Sequence, residues 1–289
     1  MNDTAAKLCG VSYIYSEKTP FMKVAVDNVD IAFEKGMITG IIGHTGSGKS
    51  TVVQMINGLL SPTLGKVFVG GRDIWEKPKE IRGVRFEAGL VFQYPEYQLF
   101  EETVKKDIAF GPSNMGLEAD EIESRIYDAM DFVGLDRSLA EKSPFDLSGG
   151  QKRRVAIAGI IAMRPKILIL DEPAAGLDPR GRDEILSRIC EYRDKYDATV
   201  VMISHSMEDM ARYCDRILVM NDGKVFRYGT CEEIFSEAES LESVGLTVPQ
   251  VTKFMLELKK RGFDVDTAIY TVDKAEEEIK RLLYGGDAK

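Results

Sequence analysis

The chain contains the glycine-rich segment Gly43-His44-Thr45-Gly46-Ser47-Gly48-Lys49-Ser50-Thr51, which fits the pattern G-x-x-x-x-G-K-[ST]. A short apolar run, residues 37–42, precedes it and suits a buried strand, while residues 52–60 suit a helix. Strand, glycine-rich loop and helix in this order are the context in which the pattern binds phosphate. The glycines let backbone N–H groups turn toward oxygens, and the helix adds its positive end. The segment therefore predicts a phosphate-binding loop rather than an ordinary glycine-rich turn.

An acidic pair downstream fits the same site. Residues 166–170 form an apolar run that predicts a central strand of a parallel sheet, and the run ends in Asp171-Glu172. An acid at the carboxyl end of such a strand lies beside the phosphate loop. We expect Lys49 to reach the β- and γ-phosphates, Ser50 and Asp171 to hold Mg²⁺, and Glu172 to orient or deprotonate a water. Two solvated carboxylates at a strand end are the alternative.

Composition limits the class of protein. Hydrophobic residues make up 44% of the 289 and charged residues 29%, which is typical of a globular protein with a large core. The net charge of -9 argues against a surface that binds nucleic acid throughout. The start of the chain has no signal-peptide pattern, and apolar stretches fall far short of the ~20 residues of a membrane helix. We therefore expect any membrane association to be peripheral.

The pattern along the chain predicts two kinds of structure around the loop. Leu8–Tyr15 alternates as an edge strand would, and Lys23–Phe33 predicts a second strand region interrupted by a turn at Asp27-Asn28. Ala88–Gln93 predicts a buried strand that ends before Pro95. Residues 103–164 then change to helical spacing, which we interpret as a helical block inserted in an α/β core. Residues 216–220 and 224–228 flank Asn-Asp-Gly, a hairpin signal.

A second change of composition follows Gly245. Residues 249–261 predict a helix with a proline at its start and a glycine at its end, and residues 273–283 predict another. We expect these two amphipathic helices to form a small C-terminal module.

A polar segment, Leu147-Ser148-Gly149-Gly150-Gln151, stands before the predicted helix Lys152–Met163. Backbone donors at a helix N-terminus form an anion site, so this segment predicts a second place for phosphate. Alone this segment would be a flexible helix cap. Its occurrence together with the phosphate loop at residues 43–51 is a highly specific sequence signal.

Over residues 8–235 the chain resembles the ATP-binding-cassette (ABC) ATPases. Residues 43–51 match the family's Walker A motif, Gln93 its Q-loop, and residues 147–151 its signature. Ile167–Asp171 with Glu172 matches Walker B and the catalytic glutamate, residues 175–178 the D-loop, and His205 the switch histidine. The resemblance implies an α/β fold: a P-loop NTPase core with an N-terminal antiparallel β subdomain, an inserted helical subdomain at about 94–165 and the C-terminal module. It places the ATPase domain at 1–244 and a dimerisation module at 245–289.

The resemblance also implies the site. ATP and Mg²⁺ are its cofactors, and Glu172, His205 and Gln93 its catalytic residues, with Gln93 at the metal as well. The resemblance assigns ATP binding to the loop residues 43–51 and to an aromatic side chain that stacks on the adenine ring. Tyr15 matches that aromatic, with Tyr13 as competitor and a plain strand tyrosine as the alternative. The family pairs head to tail, so that Ser148, Gly149, Gly150 and Gln151 of one subunit complete the partner's site, with Asp178 at the interface.

A narrower resemblance rests on three places: residues 93–104, with Gln93-Tyr94-Pro95-Glu96-Tyr97-Gln98-Leu99-Phe100 at their start, residues 110–114, and the C-terminal module. These are similar to the ATPases of energy-coupling factor (ECF) transporters of the cobalt and vitamin uptake group, and specifically to the second of the paired ATPases. The resemblance implies a homo- or heterodimer on the cytoplasmic face of the membrane, an integral coupling subunit and a membrane subunit that binds the substrate.

Two other classes compete with this interpretation. One is an ABC ATPase that acts on DNA or ribosomes, which the acidic charge, the single cassette and the absence of a coiled-coil insertion disfavour. We therefore expect no nucleic-acid partner. The other is a P-loop kinase or small NTPase, which residues 147–151 disfavour.

Overall fold

The computed structural model describes residues 4–284. Within that range the chain forms ten strands and eleven α-helices. The strands are β1 (Thr4–Tyr15), β2 (Lys23–Glu34), β3 (Ile38–Ile42), β4 (Leu64–Val69), β5 (Arg72–Asp73), β6 (Ala88–Val91), β7 (Ile167–Asp171), β8 (Thr199–Ile203), β9 (Arg216–Asn221) and β10 (Lys224–Thr230). The helices are α1 (Lys49–Ile56), α2 (Ile81–Glu87), α3 (Val104–Asn114), α4 (Ala119–Phe132), α5 (Gly149–Ile161), α6 (Pro179–Tyr196), α7 (Met207–Tyr213), α8 (Cys231–Phe235), α9 (Ala238–Ser243), α10 (Gln250–Lys260) and α11 (Val272–Tyr284).

The strands form two sheets. A six-stranded sheet has the order β10-β9-β3-β8-β7-β6 and is parallel except for the β9–β10 hairpin. A four-stranded antiparallel sheet has the order β2-β1-β4-β5. The α/β fold with an N-terminal antiparallel sheet is therefore confirmed.

The six-stranded sheet is covered on both faces, which explains its apolar strands. In β7, Leu168 and Leu170 pack toward the helices on one face, while Ile167 and Ile169 pack toward α1 and the antiparallel sheet on the other. Such a strand has no solvent side and therefore shows no alternation of polar residues. Its carboxyl end, where Asp171 lies, opens beside the loop between β3 and α1.

Three predictions about these elements were wrong in detail. Residues 8–15 do not form an edge strand, because β1 pairs with β2 on one side and β4 on the other. The expected turn at Asp27-Asn28 is an irregularity within the continuous strand β2, where Asn28 has φ 49°. The helix expected from Lys152 begins at Gly149, since Ser148 and Gln151 form a capping box that extends it toward the N-terminus.

The two last helices lie around a small core of their own. Met255, Val265, Ile269 and Ala275 form this cluster, and the Thr252 hydroxyl donates to the Ile269 carbonyl at 2.8 Å. No helix within residues 4–284 has the length and apolar character that a membrane crossing requires.

Candidate active site

The phosphate loop is held by backbone on its inner side. Gly43 and Gly48 have φ of 155° and 99°, conformations that other residues rarely adopt. A Cβ at Gly43 would lie 2.4 Å from the Met220 carbonyl oxygen, and one at Gly48 would lie 2.4 Å from the Ala25 carbonyl oxygen. The loop therefore fits between β2 and β9 only because both positions lack side chains.

Lys49 is the buried cation of the site. Its Nζ donates to the carbonyls of Gly43 at 2.7 Å and His44 at 2.9 Å, so the side chain curls over the loop. Burial lowers the pKa of the Lys49 ammonium, and the charges of Asp171 and Glu172 oppose that shift. Phosphate oxygens in the loop would offer this ammonium a better partner than the two neutral carbonyls.

Ser50 and Asp171 meet across the sheet edge, as predicted. The Ser50 hydroxyl donates to Asp171 Oδ2 at 2.9 Å, and burial raises the pKa of the Asp171 carboxyl. A hydroxyl and a carboxylate oxygen are hard donors of the kind that Mg²⁺ takes beside nucleotide phosphates. This donor pair, with Ser50 in the first turn of α1 and Asp171 at the end of β7, fits an Mg²⁺ bound between the protein and a nucleotide.

Glu172 lies one residue further on in a left-handed conformation, with φ 54°. Its N–H donates to the Ile203 carbonyl at 3.0 Å, and its side chain is buried with Oε1 lacking a hydrogen-bond partner. Burial, followed by the charge of Asp171, raises the pKa of Glu172 to about 7. A buried carboxylate with an unused oxygen and a raised pKa has the properties of a general base.

His205 follows β8 and faces the glutamate. Its Nε2 lies 3.6 Å from Glu172 Oε1, and 58% of the side chain is exposed. Burial of the ring and the charge of Lys49 both lower the pKa of His205. The imidazole is therefore largely neutral at pH 7, and it lies where it can contact a group placed between it and Glu172.

Tyr15 borders the opening beside the loop. A cavity of about 160 Å³ is lined by Tyr15, Lys23, Ala25, Gly46 and residues 48–51. The Tyr15 hydroxyl lies 3.2 Å from Thr51 Oγ1, while the Tyr13 ring packs edge-on against Tyr15 with centroids 4.8 Å apart. Tyr15 is 39% exposed, whereas Tyr13 packs on the core. Of the two tyrosines, Tyr15 has the face available for a base.

Three other predicted site elements lie at the surface. Gln93 is exposed two residues beyond β6. Ser148 caps α5, and the two glycines that follow have nothing within 4 Å of an added Cβ, so their backbone is open. Asp178 caps α6 by accepting from the Gly181 N–H at 2.7 Å. None of these residues lines the loop cavity within residues 4–284. For Ser148, the two glycines and Asp178 this fits groups expected to act across an interface, whereas Gln93, expected at the metal of its own subunit, lies outside that cavity.

Two features of the site were missed from the sequence. Lys23 lines the loop cavity because it pairs with Tyr15 across β1 and β2, and strand register is not visible in the residues themselves. The His44 ring does not face the cavity: its Nε2 lies 3.0 Å from Asn221 Oδ1 and its Nδ1 2.9 Å from the Thr45 carbonyl. His44 therefore ties the loop to the β9–β10 turn.

The fold and this site together define an ATP-binding cassette. Residues 26–175 match the family model described as ABC transporter, and the chain belongs to this family. It binds ATP and hydrolyses it. A solved dimeric cassette in a post-hydrolysis state with ADP and phosphate is similar over 78% of this chain and 98% of its own, with 28% identity and a TM-score of 0.71.

Within the family, relatives of this chain include the energy-coupling factor transporter ATP-binding proteins. It is 56% identical to the protein EcfA2 of Caldanaerobacter subterraneus subsp. tengcongensis, over 96% of this chain and 98% of the relative. It is 53% identical to EcfA2 of Clostridium acetobutylicum, over 96% and 97%. The structure of cbiO1 from Clostridium perfringens, part of the ABC transporter complex cbiONQ, matches with a TM-score of 0.74 and 38% identity, over 88% and 99%. The chain thus belongs to the ECF group of ABC ATPases.

Proposed function

We propose that the chain is the ATP-hydrolysing subunit of an ECF-type importer, and that it energises uptake of a vitamin or a transition-metal ion through separate membrane subunits. The observation that carries the proposal is the meeting of Ser50, Asp171, Glu172 and His205 at one sheet edge, in a chain similar to ECF ATPases over nearly its whole length. The substrate itself is selected by another subunit.

In this function each residue of the site has a separate task. Lys49 transfers its hydrogen bonds from the loop carbonyls to the β- and γ-phosphates. Glu172 accepts a proton from the attacking water, and His205 holds the γ-phosphate from the other side. Ser50 and Asp171, with Gln93, would hold Mg²⁺, which would neutralise charge on the phosphates. Tyr15 stacks on the adenine.

The working unit is a pair of ATPase subunits. The open backbone of Gly149 and Gly150, at the start of α5, reaches the γ-phosphate held by the other subunit. ATP then bridges the pair, and hydrolysis removes the bridge. The partner is a second copy of this chain or a related ATPase.

The membrane partner docks at a groove beside the Gln93 segment. A cavity of about 320 Å³ lies between α3, α5 and the turn Pro95–Gln98, with Leu99, Phe100, Phe110 and Met163 among its lining residues. Tyr97 is 84% exposed and Phe100 58%. A side chain as exposed as that of Tyr97 does not pack under the helical block. An apolar groove rimmed by exposed aromatics suits an inserted helix of a coupling subunit. The chain would then lie on the cytoplasmic face of the membrane.

Assembly in a reconstituted complex tests the proposal. The double substitution Tyr97→Ala and Leu99→Ala is expected to leave ATP binding by the isolated chain unchanged, but to reduce co-purification with the integral subunit and ATP-driven uptake. Phe21→Ala is the matched control, since Phe21 is also 84% exposed but lies in the β1–β2 loop. Unchanged assembly and uptake would place the membrane contact elsewhere. Wild-type protein that does not bind the membrane subunits, and whose ATP hydrolysis is stimulated by DNA or ribosomes, would support the alternative class of soluble ABC ATPase.

A further inference from the structure

Arg153 is a buried arginine that touches no part of the nucleotide cavity. It lies in α5, five residues after Ser148, and is only 5% exposed. Its guanidinium donates to three carbonyls of one short segment: Nη2 to Glu172 at 2.5 Å, Nε to Pro173 at 3.0 Å and Nη1 to Ala175 at 2.7 Å. One side chain thus holds the backbone of residues 172–175.

This support acts on a strained residue. Glu172 has φ 54°, which residues other than glycine adopt only when the surrounding structure holds them there. Its N–H is fixed by the Ile203 carbonyl in β8 and its carbonyl by Arg153 in α5. The direction of the Glu172 carboxylate therefore depends on both neighbours.

A second charged group, Glu96, lies in the turn that borders the groove described above. The turn Pro95–Gln98 packs on α5, and Glu96 in that turn has a buried carboxylate oxygen, Oε2, without a hydrogen-bond partner. Glu96 is also the charge that most strongly raises the pKa of Arg153, against the lowering by burial. The next residue, Tyr97, points to solvent. The turn thus exposes the Tyr97 side chain, while the neighbouring Glu96 keeps one carboxylate oxygen buried without a hydrogen-bond partner, in a turn packed on α5.

We infer that Arg153, together with the nearby charge of Glu96, positions Glu172 and links its orientation to the turn Pro95–Gln98 beside the proposed docking groove and to helix α5, which Ser148 caps. Movement of the turn Pro95–Gln98 displaces the charge near Arg153, and movement of α5 displaces Arg153 itself. Either motion shifts the carbonyl of Glu172. The link to the docking segment rests on the proposed function, whereas the support of Glu172 by Arg153 does not.

Kinetics of the complete transporter complex test this positioning role. Arg153→Met removes all three donors and is expected to lower kcat by about 10- to 100-fold, the usual cost of a misplaced catalytic group, while KM and ATP affinity stay within about twofold. Arg153→Lys keeps the charge and can still reach a carbonyl, so it is expected to recover part of the loss. Glu96→Gln is expected to reduce the stimulation of hydrolysis by the membrane subunits more than the basal rate.

Arg154→Met is the matched control, because Arg154 is the next residue of α5 and supports the end of α4 instead. It should leave kcat unchanged even if thermal stability falls. The double variant Glu96→Gln with Arg153→Met should be no slower than Arg153→Met alone, since both act through one guanidinium.

Folded Arg153→Met protein with wild-type kcat would overturn the inference, as would a double variant whose losses add. If Arg153→Met does not fold, wild-type kcat in Arg153→Lys together with unchanged stimulation of Glu96→Gln by the membrane subunits would overturn it. Failure of the wild-type chain to assemble with membrane subunits would instead overturn the proposed function, and kcat of the isolated full chain would then test Arg153.

Discussion

Glu172 combines three properties that an exposed carboxylate lacks. It is buried, its backbone is held in a left-handed conformation, and one of its oxygens has no hydrogen-bond partner. These properties suit a residue that accepts a hydrogen bond from the attacking water. They also explain why its neighbour Asp171, already bonded to Ser50, has a different role.

Glu172→Gln is expected to keep ATP binding and to lower turnover by about 10²–10⁴-fold, because a lost general base typically costs that much. The variant should accumulate as an ATP-bound dimer. Single-turnover hydrolysis and nucleotide binding measure the two effects separately. Glu208→Gln is the control, since Glu208 is a nearby exposed carboxylate whose bond to the Gln250 N–H an amide oxygen can replace. Turnover of Glu172→Gln within a few-fold of wild type would contradict the assignment.

The positions of site residues that follow from the local strand–loop–helix order could be predicted from the sequence. Lys49 and Ser50 follow the loop glycines, and Asp171 ends an apolar strand, so their meeting follows from the strand–loop–helix order. Lys23 and Arg153 could not be predicted in this way. Their partners are set by strand register and by helix packing, which link residues far apart in the sequence.

At the scale of elements, α4 is joined to α5 and α6 through its last carbonyls. Arg154 from α5 donates to the Val133 carbonyl at 2.6 Å, and Arg188 from α6 donates to the Phe132 carbonyl at 2.5 Å. Glu184 holds both guanidinium groups, at 2.9 and 3.1 Å. Carbonyls at a helix end lack intrahelical partners, and arginines are well suited to supply them.

This network predicts a pH-dependent contribution to stability. The hydrogen bond from Arg154 lowers the pKa of Glu184 to about 2, below the value of about 4.3 in an unfolded chain. A lowered folded-state pKa means that the stabilisation is present above pH ~4.3 and is lost as the pH falls toward 2. The difference in free energy of unfolding between wild type and Glu184→Gln, from urea denaturation, should therefore shrink as the pH is lowered from 7 to 3. A difference that grows instead would show that Glu184 is not stabilised as a carboxylate.

Element boundaries were predicted less well than element types. The central strand β7 was evident from its short apolar run, and the β9–β10 hairpin from Asn-Asp-Gly. The position of β1 was not evident, because its half-buried pattern is the same whether one or two strands pair with it. The start of α5 depends on a capping box, for which Ser148 and Gln151 at i and i+3 were a usable signal.

For the whole molecule, the C-terminal helices form the most separate part of the described chain. They share their own small core and contact the body through the bond from Gln250 N–H to Glu208 and through the rings of Phe235 and Tyr270. Several of their apolar side chains are exposed: Phe254, Phe263, Val272, Leu283 and Tyr284. Exposed apolar groups on a module without catalytic residues suit a contact between subunits. Residues 285–289 of the predicted module lie outside the described range.

A chain ending at Val244 is expected to dissociate in the absence of ATP, whereas the full chain stays paired. Sedimentation measures the change, and circular dichroism checks that the shortened chain is folded. Phe254→Asp in the full chain provides a second test, because it places a charge on the exposed face without deleting the module. Shortened protein that remains fully dimeric without nucleotide would exclude this role for residues 245–289.

The overall strand order lay beyond sequence-based prediction. β3 lies between β8 and β9, which follow it by more than 150 residues, and only the packed core determines that neighbourhood. The resemblance to a known family supplied the architecture that local patterns could not.

The close packing behind the phosphate loop has a consequence for how nucleotide binds and is released. With the carbonyls of Met220 and Ala25 directly behind Gly43 and Gly48, the loop has a solid rear wall. ATP must enter, and ADP must leave, through the front of the loop. In the proposed head-to-tail pair, the second subunit would cover that front. The residence time of ADP would then be set by how often the two nucleotide sites open while the C-terminal modules keep the subunits paired, so that the slow step of the cycle belongs to the pair and not to either chain alone.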